Sequence, residues 1–218
     1  AQWQCVGFCH GVMNTDNFSI LGLTIDYGPF GFMDHFDAHH ICNHSDHEGR
    51  YAYDRQPSIG HWNCMRLLQA MLPLLAEDEA AAVDIANDLL RHYASTYSDT
   101  AIALWRAKLG LLDSHDGDAE LINRLLQWMH GCRADFSRCF RMLSTVEKAG
   151  GRPALLDEVI DPAGLEAWLG DYRTRLRAEA RDDRDRAKAM NSVNPKYVLR
   201  NWIAQEAIDH ADTPGHLD

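Results

Sequence analysis

No apolar run in the 218 residues approaches the ~20 needed to cross a bilayer. The six cysteines (Cys5, Cys9, Cys42, Cys64, Cys132, Cys139) form no Cys-x-x-Cys pair and are too sparse for a disulfide scaffold, so they read as reduced, half-buried thiols. Basic residues are in deficit: 21 Lys and Arg against 32 Asp and Glu leave a formal charge of −11. That balance excludes a general nucleic-acid binder or an anionic-membrane binder, because neutralising phosphates takes a basic surface. Gly-x-Gly-x-x-Gly and phosphate-loop patterns are absent, and no repeat or low-complexity tract is evident. What remains is a chain with 46% hydrophobic residues, enough to bury a core as one domain.

The most informative segment is His10-Gly-Val-Met-Asn-Thr-Asp-Asn17, followed by Ile25-Asp26-Tyr27-Gly28. Kinase-like sites place an Asp two positions after a His and an Asn five positions after that Asp; the Asp orients the nucleophile and the Asn holds Mg²⁺. His10 and Asn17 keep the seven-residue offset, but Val12 stands where the Asp belongs. Valine neither accepts a proton nor binds a metal, so the site is either dead or has moved its base, and Asp16 is the replacement carboxylate. The residues from Phe18 to Ile25 have the content of two short strands around Gly22, which would bring Asn17 and Asp26 to one end of a hairpin. An amide oxygen and a carboxylate there suit Mg²⁺ or Mn²⁺. The plainer alternative is a buried hairpin in which Asp16 and Asn17 only cap a turn.

A zinc site competes. His35, His39, His40, Cys42, His44, His47 and His61 cluster in sequence, with His-x₃-His and His-x₂-His spacings. Arg50, Asp54 and Arg55 either shape this segment through ion pairs or face a protein substrate.

From Pro57 the pattern turns helical, with runs expected to about 75 and then over 79–109, 118–130, 133–147, 162–179, 182–191 and 196–211. Trp105, Leu109, Leu125, Trp128, Met129, Phe136, Phe140 and Leu143 fall on core stripes. The Arg/Asp/Glu-rich stretch from Arg173 to Arg186 predicts an exposed helix with i to i+4 pairs.

The segments Ala1-Gln-Trp-Gln4, His10 to Asn17, Leu21 to Asp34, Ile41-Cys-Asn-His-Ser-Asp-His47, Gly49 to Pro57, Trp62-Asn63 and Ser192 to Gln205 closely resemble the selenoprotein O family. The resemblance implies an α+β, mainly α-helical, protein-kinase-like fold, of which this chain is the large C-terminal lobe with a short catalytic β-hairpin. It implies a pseudokinase that transfers AMP from ATP to Ser, Thr or Tyr hydroxyls of protein substrates. By that resemblance Asp16 is the proton acceptor, Asn17 and Asp26 bind Mg²⁺ or Mn²⁺, and Asp26 also lies near the ATP phosphates. Residues 1–56 are then the catalytic, metal-binding and activation-like segments, and 57–218 the helical remainder of the same lobe. The smaller nucleotide lobe is absent, so the fragment alone is expected to be inactive. The expected location is cytoplasmic in a bacterium, mitochondrial in a eukaryote, with neither nucleic-acid nor membrane partners. Val12 keeps a non-catalytic nucleotide-binding or interaction module open.

Overall fold

The computed structural model describes residues 1–211, and these are mainly helical. The helices are α1 (Gln2–Val6), α2 (Gln56–Leu75), α3 (Glu79–Lys108), α4 (Asp118–Cys132), α5 (Phe136–Leu143), α6 (Pro162–Arg177), α7 (Asp183–Val193) and α8 (Asn201–Ala211). Two strands, β1 (Phe8–Cys9) and β2 (Gly31–Phe32), pair in one small sheet. The chain divides into two compact units: one made of 1–5, 9–30 and 38–104, the other of 6–8, 31–37 and 105 onward.

The first unit is built on α2 and most of α3. Pro57 occupies the first turn of α2, where its missing N–H costs nothing. Gly60 lets the two helices approach closely: a Cβ there would meet Tyr93 Oη at 2.5 Å, and that hydroxyl donates to Pro57 O at 3.1 Å. Buried Tyr53 donates to Gln4 O at 2.5 Å, while Gln4 Nε2 donates to Tyr53 O at 2.8 Å. This reciprocal pair fastens α1 to the stretch that precedes α2.

The hairpin expected between Asn17 and Asp26 is reduced to a turn. Gly22 takes the positive φ of +71° and Phe18 bridges Thr24 in antiparallel sense, but no ladder extends further. Ile20, Leu21 and Leu23 are exposed, and a two-stranded ribbon with nothing packed on it is marginal.

The second unit packs α4 to α7 around Leu125, Met129, Phe136, Phe140, Leu165 and Tyr172. Trp168 Nε1 donates to Leu121 O at 2.9 Å and joins α6 to α4. Expected helix 133–147 is shorter than foreseen. Arg133 sits in the left-handed region (φ 53°) as the C-cap of α4, and the Asp135 carboxylate accepts from Arg138 N to start α5 afresh. Likewise α8 begins at Asn201, five residues later than the pattern suggested.

The Arg173–Arg186 stretch is the clearest departure. It breaks between α6 and α7, and two of its arginines are interior. Arg175 binds Asp118 at 2.6 Å and Glu179 at 2.7 Å, with both carboxylates buried. Arg186, 1% exposed, donates to Val146 O and Asp183. Charge alternation alone cannot distinguish a solvated helix from one whose cations each find a buried acceptor.

Gly110, at φ +70°, follows α3 against α7; a Cβ there would meet Arg186 Cγ at 2.6 Å and Met190 Cγ at 2.8 Å. Gly110→Ala is therefore expected to destabilise by about 2–3 kcal/mol in urea unfolding followed by circular dichroism. Gly170→Ala, in α6 with open space around it, should be neutral or stabilise by up to ~1 kcal/mol.

Candidate active site

The segment Cys9–Met13 has almost no regular structure, yet it is mostly buried. Buried backbone groups need partners, and here side chains supply them almost residue by residue. Cys42 Sγ donates to Cys9 O at 3.5 Å. Gln56 Oε1 accepts from His10 N at 2.9 Å, and Asn43 Nδ2 donates to Gly11 O at 3.1 Å. Asn17 Nδ2 donates to Val12 O at 3.0 Å, and Asn63 Nδ2 to Met13 O at 2.9 Å. Gly11, at φ +85°, admits no side chain: a Cβ would meet Pro29 Cγ at 2.8 Å and Cys42 Sγ at 2.9 Å.

His10 joins this segment to the one carrying Asp26. Its ring is fully buried; Nε2 donates to Ile25 O at 2.8 Å, and Nδ1 accepts from Val12 N at 3.4 Å. Burial pushes the imidazole below its ordinary pKa, against the opposing pull of the Ile25 carbonyl and the Asp26 charge. The neutral ring with its proton on Nε2 satisfies both bonds. Trp3 covers it, with ring centroids 5.3 Å apart, and donates through Nε1 to Thr24 Oγ1 at 3.1 Å.

The three predicted site residues lie on this frame. Asp16 is exposed in a 3₁₀ turn (Thr15–Asn17) capped by Asn14, whose Oδ1 accepts from Asn17 N. Asn17 is 8% exposed. Its amide nitrogen is committed to Val12 O, which leaves Oδ1 as the side-chain atom of the type a hard cation takes. Asp26 is exposed and holds φ at +49°, a left-handed conformation uncommon outside glycine and often found at functional sites. The Phe18–Thr24 bridge puts the chain neighbours Asn17 and Ile25 at the open end of the turn. Two protein oxygens with open positions fit a cation that also binds nucleotide phosphates.

The His-rich segment behaves differently. His39 Nδ1 pairs with Asp54 at 2.7 Å, and Cys42 faces Cys9 O. Among the described residues no group of three or more His, Cys, Asp or Glu side chains could hold a metal ion. Sequence reasoning assigned no role to Gln56, Asn43 or Asn63; their signal was only that each is an amide next to a segment of irregular backbone.

If His10 ties the two segments together, His10→Leu should orphan Ile25 O and Val12 N and cost about 1–3 kcal/mol in urea unfolding. His10→Gln, whose Nε2 can still reach Ile25 O, should lose clearly less. Equal losses in the two variants would reduce His10 to packing.

The chain matches the family model described as protein adenylyltransferase SelO over residues 1–217. It is 56% identical over 214 residues to the protein nucleotidyltransferase YdiU of Methylococcus capsulatus and 55% identical over 222 residues to that of Burkholderia multivorans. Each alignment covers 97% of this chain but 42% of the relative, so the chain spans about two fifths of the length of the curated relatives it matches. With a match along nearly its whole length and more than half its residues shared with two such relatives, the chain belongs to the SelO protein adenylyltransferase family.

Proposed function

We propose that the protein to which this chain belongs adenylylates other proteins, moving AMP from ATP to Ser, Thr or Tyr hydroxyls. The observation that supports the reading is the buried His10 ring, which bonds Val12 N and the Ile25 carbonyl immediately before Asp26, inside a chain of this family. Asp16 takes the proton of the acceptor hydroxyl, whose oxygen attacks the α-phosphorus; the bond to the β-phosphate oxygen breaks and pyrophosphate leaves. Asn17 Oδ1 and the Asp26 carboxylate would hold Mg²⁺ or Mn²⁺, which would neutralise charge on the phosphates. The rigid frame keeps those oxygens in position without reorganisation at the moment of reaction.

In this reading the chain is the large lobe of a kinase-like fold. Residues 1–56 bear the catalytic, metal-binding and activation-like segments, and 57–218 complete the lobe. The mainly helical content and the Asp26-Tyr27-Gly28 tripeptide support it. A nucleotide-binding lobe would lie in the part of the relatives that this chain does not span, so the chain alone should transfer little or no AMP. No helix among the described residues is long and apolar enough to cross a membrane. The relatives are bacterial, which favours the cytoplasmic location.

The test is the full-length protein with ATP labelled at the α- or γ-phosphate, with Mg²⁺ or Mn²⁺. α-Label alone should enter protein, and Asp16→Ala and Asp26→Ala should each lower incorporation by roughly 100-fold or more. Incorporation of γ-label would make the protein a kinase. ATP binding without incorporation would leave a non-catalytic module, the outcome that Val12 favours.

A further inference from the structure

Beside the proposed base lies a cavity of about 530 Å³ lined by Thr15, Phe18, Ile20, Asn63, Arg66 and Leu67 among others. Thr15 is the chain neighbour of Asp16. Phe18, Ile20 and Leu67 make its walls apolar, and Ile20 and Leu67 remain exposed. Asn63 is 5% exposed; its Nδ2 is spent on Met13 O and Ile59 O, while its Oδ1 is buried with no partner. A buried acceptor left unsatisfied is costly, which marks this wall of the cavity as strained.

Arg66 is part of the lining of this cavity, and Arg50 shares its aromatic neighbour, Trp62. The guanidinium carbons of Arg66 and Arg50 each lie 4.9 Å from the Trp62 ring centroid. Arg50 also lies 5.7 Å from the Tyr51 ring. Both arginines are exposed, and neither pairs with a carboxylate among the described residues; Arg66 donates to the neutral Gln69 Oε1 at 2.9 Å. Stacking on an indole holds a guanidinium in place while leaving its in-plane N–H donors open. Each fork offers paired donors that a carboxylate can take.

We propose that this surface docks the acceptor polypeptide, with an acidic side chain flanking the modified hydroxyl held by Arg50 and Arg66 and an apolar side chain in the Phe18–Leu67 cavity. The proposal rests on the reading of Asp16 as the base, since that reading puts the acceptor hydroxyl next to Thr15. It assigns the protein a preference for acceptors in acidic surroundings.

The test reads binding and not transfer, so its failure stands apart from failure of the transferase reading. Two fluorescein-labelled peptides are used, each with one Ser and one Leu, flanked in one by Glu and in the other by Lys. Fluorescence anisotropy is followed on the full-length protein and on Arg50→Gln/Arg66→Gln, whose folding is checked by its unfolding midpoint. The Glu peptide should bind the native protein about tenfold or more tighter than the Lys peptide, and added salt should weaken it. The double variant should erase that preference and leave the affinity for ATP with Mn²⁺ within about twofold. Equal binding of the two peptides to the native protein overturns the proposal, and that arm needs no variant. So does a preference that survives in the folded double variant, or a loss of ATP affinity in step with peptide affinity, which would give the arginines to the nucleotide phosphates. Should the double variant not fold, Arg66→Glu alone should invert the preference, and its failure to do so counts equally against the proposal.

Discussion

An imidazole with both nitrogens engaged is the constraint on which the rest of the site depends. His10 is closed off from solvent, and each of its ring nitrogens bonds a backbone group of a different segment. One is the amide of Val12, the residue that stands where a kinase would have its base; the other is the carbonyl immediately before Asp26. A ring so placed fixes a distance between the two segments that no ladder of strand hydrogen bonds provides, since only one bridge forms in the intervening turn. A protonated ring could not accept from Val12, so the same burial that lowers its pKa preserves the bond pattern.

Around that ring the backbone from Cys9 to Met13 is carried by amide side chains from α2 and from the segment before it. Gln56 and Asn63 act from α2, and Asn43 from the preceding stretch. An irregular chain buried in this way keeps its shape only while every partner is present, which makes the segment rigid and sensitive to substitution. Asn17 commits its nitrogen to the same backbone, and Asp26 holds an otherwise uncommon φ. The fold spends buried polar groups to hold a few exposed oxygens still.

Much of this was legible in the sequence, for identifiable reasons. The helical scaffold followed from period and punctuation: Pro57 opened α2, and Asp113 to Gly117 set off α4, because proline and glycine act locally. The offsets of His10, Asn17 and Asp26 singled out the segments that the His10–Ile25 and Asn17–Val12 bonds tie to the Cys9–Met13 backbone, because spacing survives whatever the chain does between. Tertiary decisions were not legible. Arg133 in a left-handed C-cap and Asp135 as a new N-cap divide a pattern that reads as one helix. Arg175 and Arg186 look solvated until Asp118 and the Val146 carbonyl, distant in sequence, appear beside them; only the Arg175–Glu179 pair has the i to i+4 spacing the pattern offers. Gln56, Asn43 and Asn63 could not be told from surface amides for the same reason.

The central claim is that this frame presents Asn17 and Asp26 to one cation, with Asp16 beside the acceptor. A crystal structure of the full-length protein with Mn²⁺ and an ATP analogue that resists cleavage at the α-phosphate would test it most directly. The account predicts an anomalous manganese peak about 2.1 Å from both Asn17 Oδ1 and an Asp26 carboxylate oxygen, with the α-phosphate on the side of Asp16. A manganese ion bound without either residue, or an Asp16 carboxylate turned away from the α-phosphate, would contradict it.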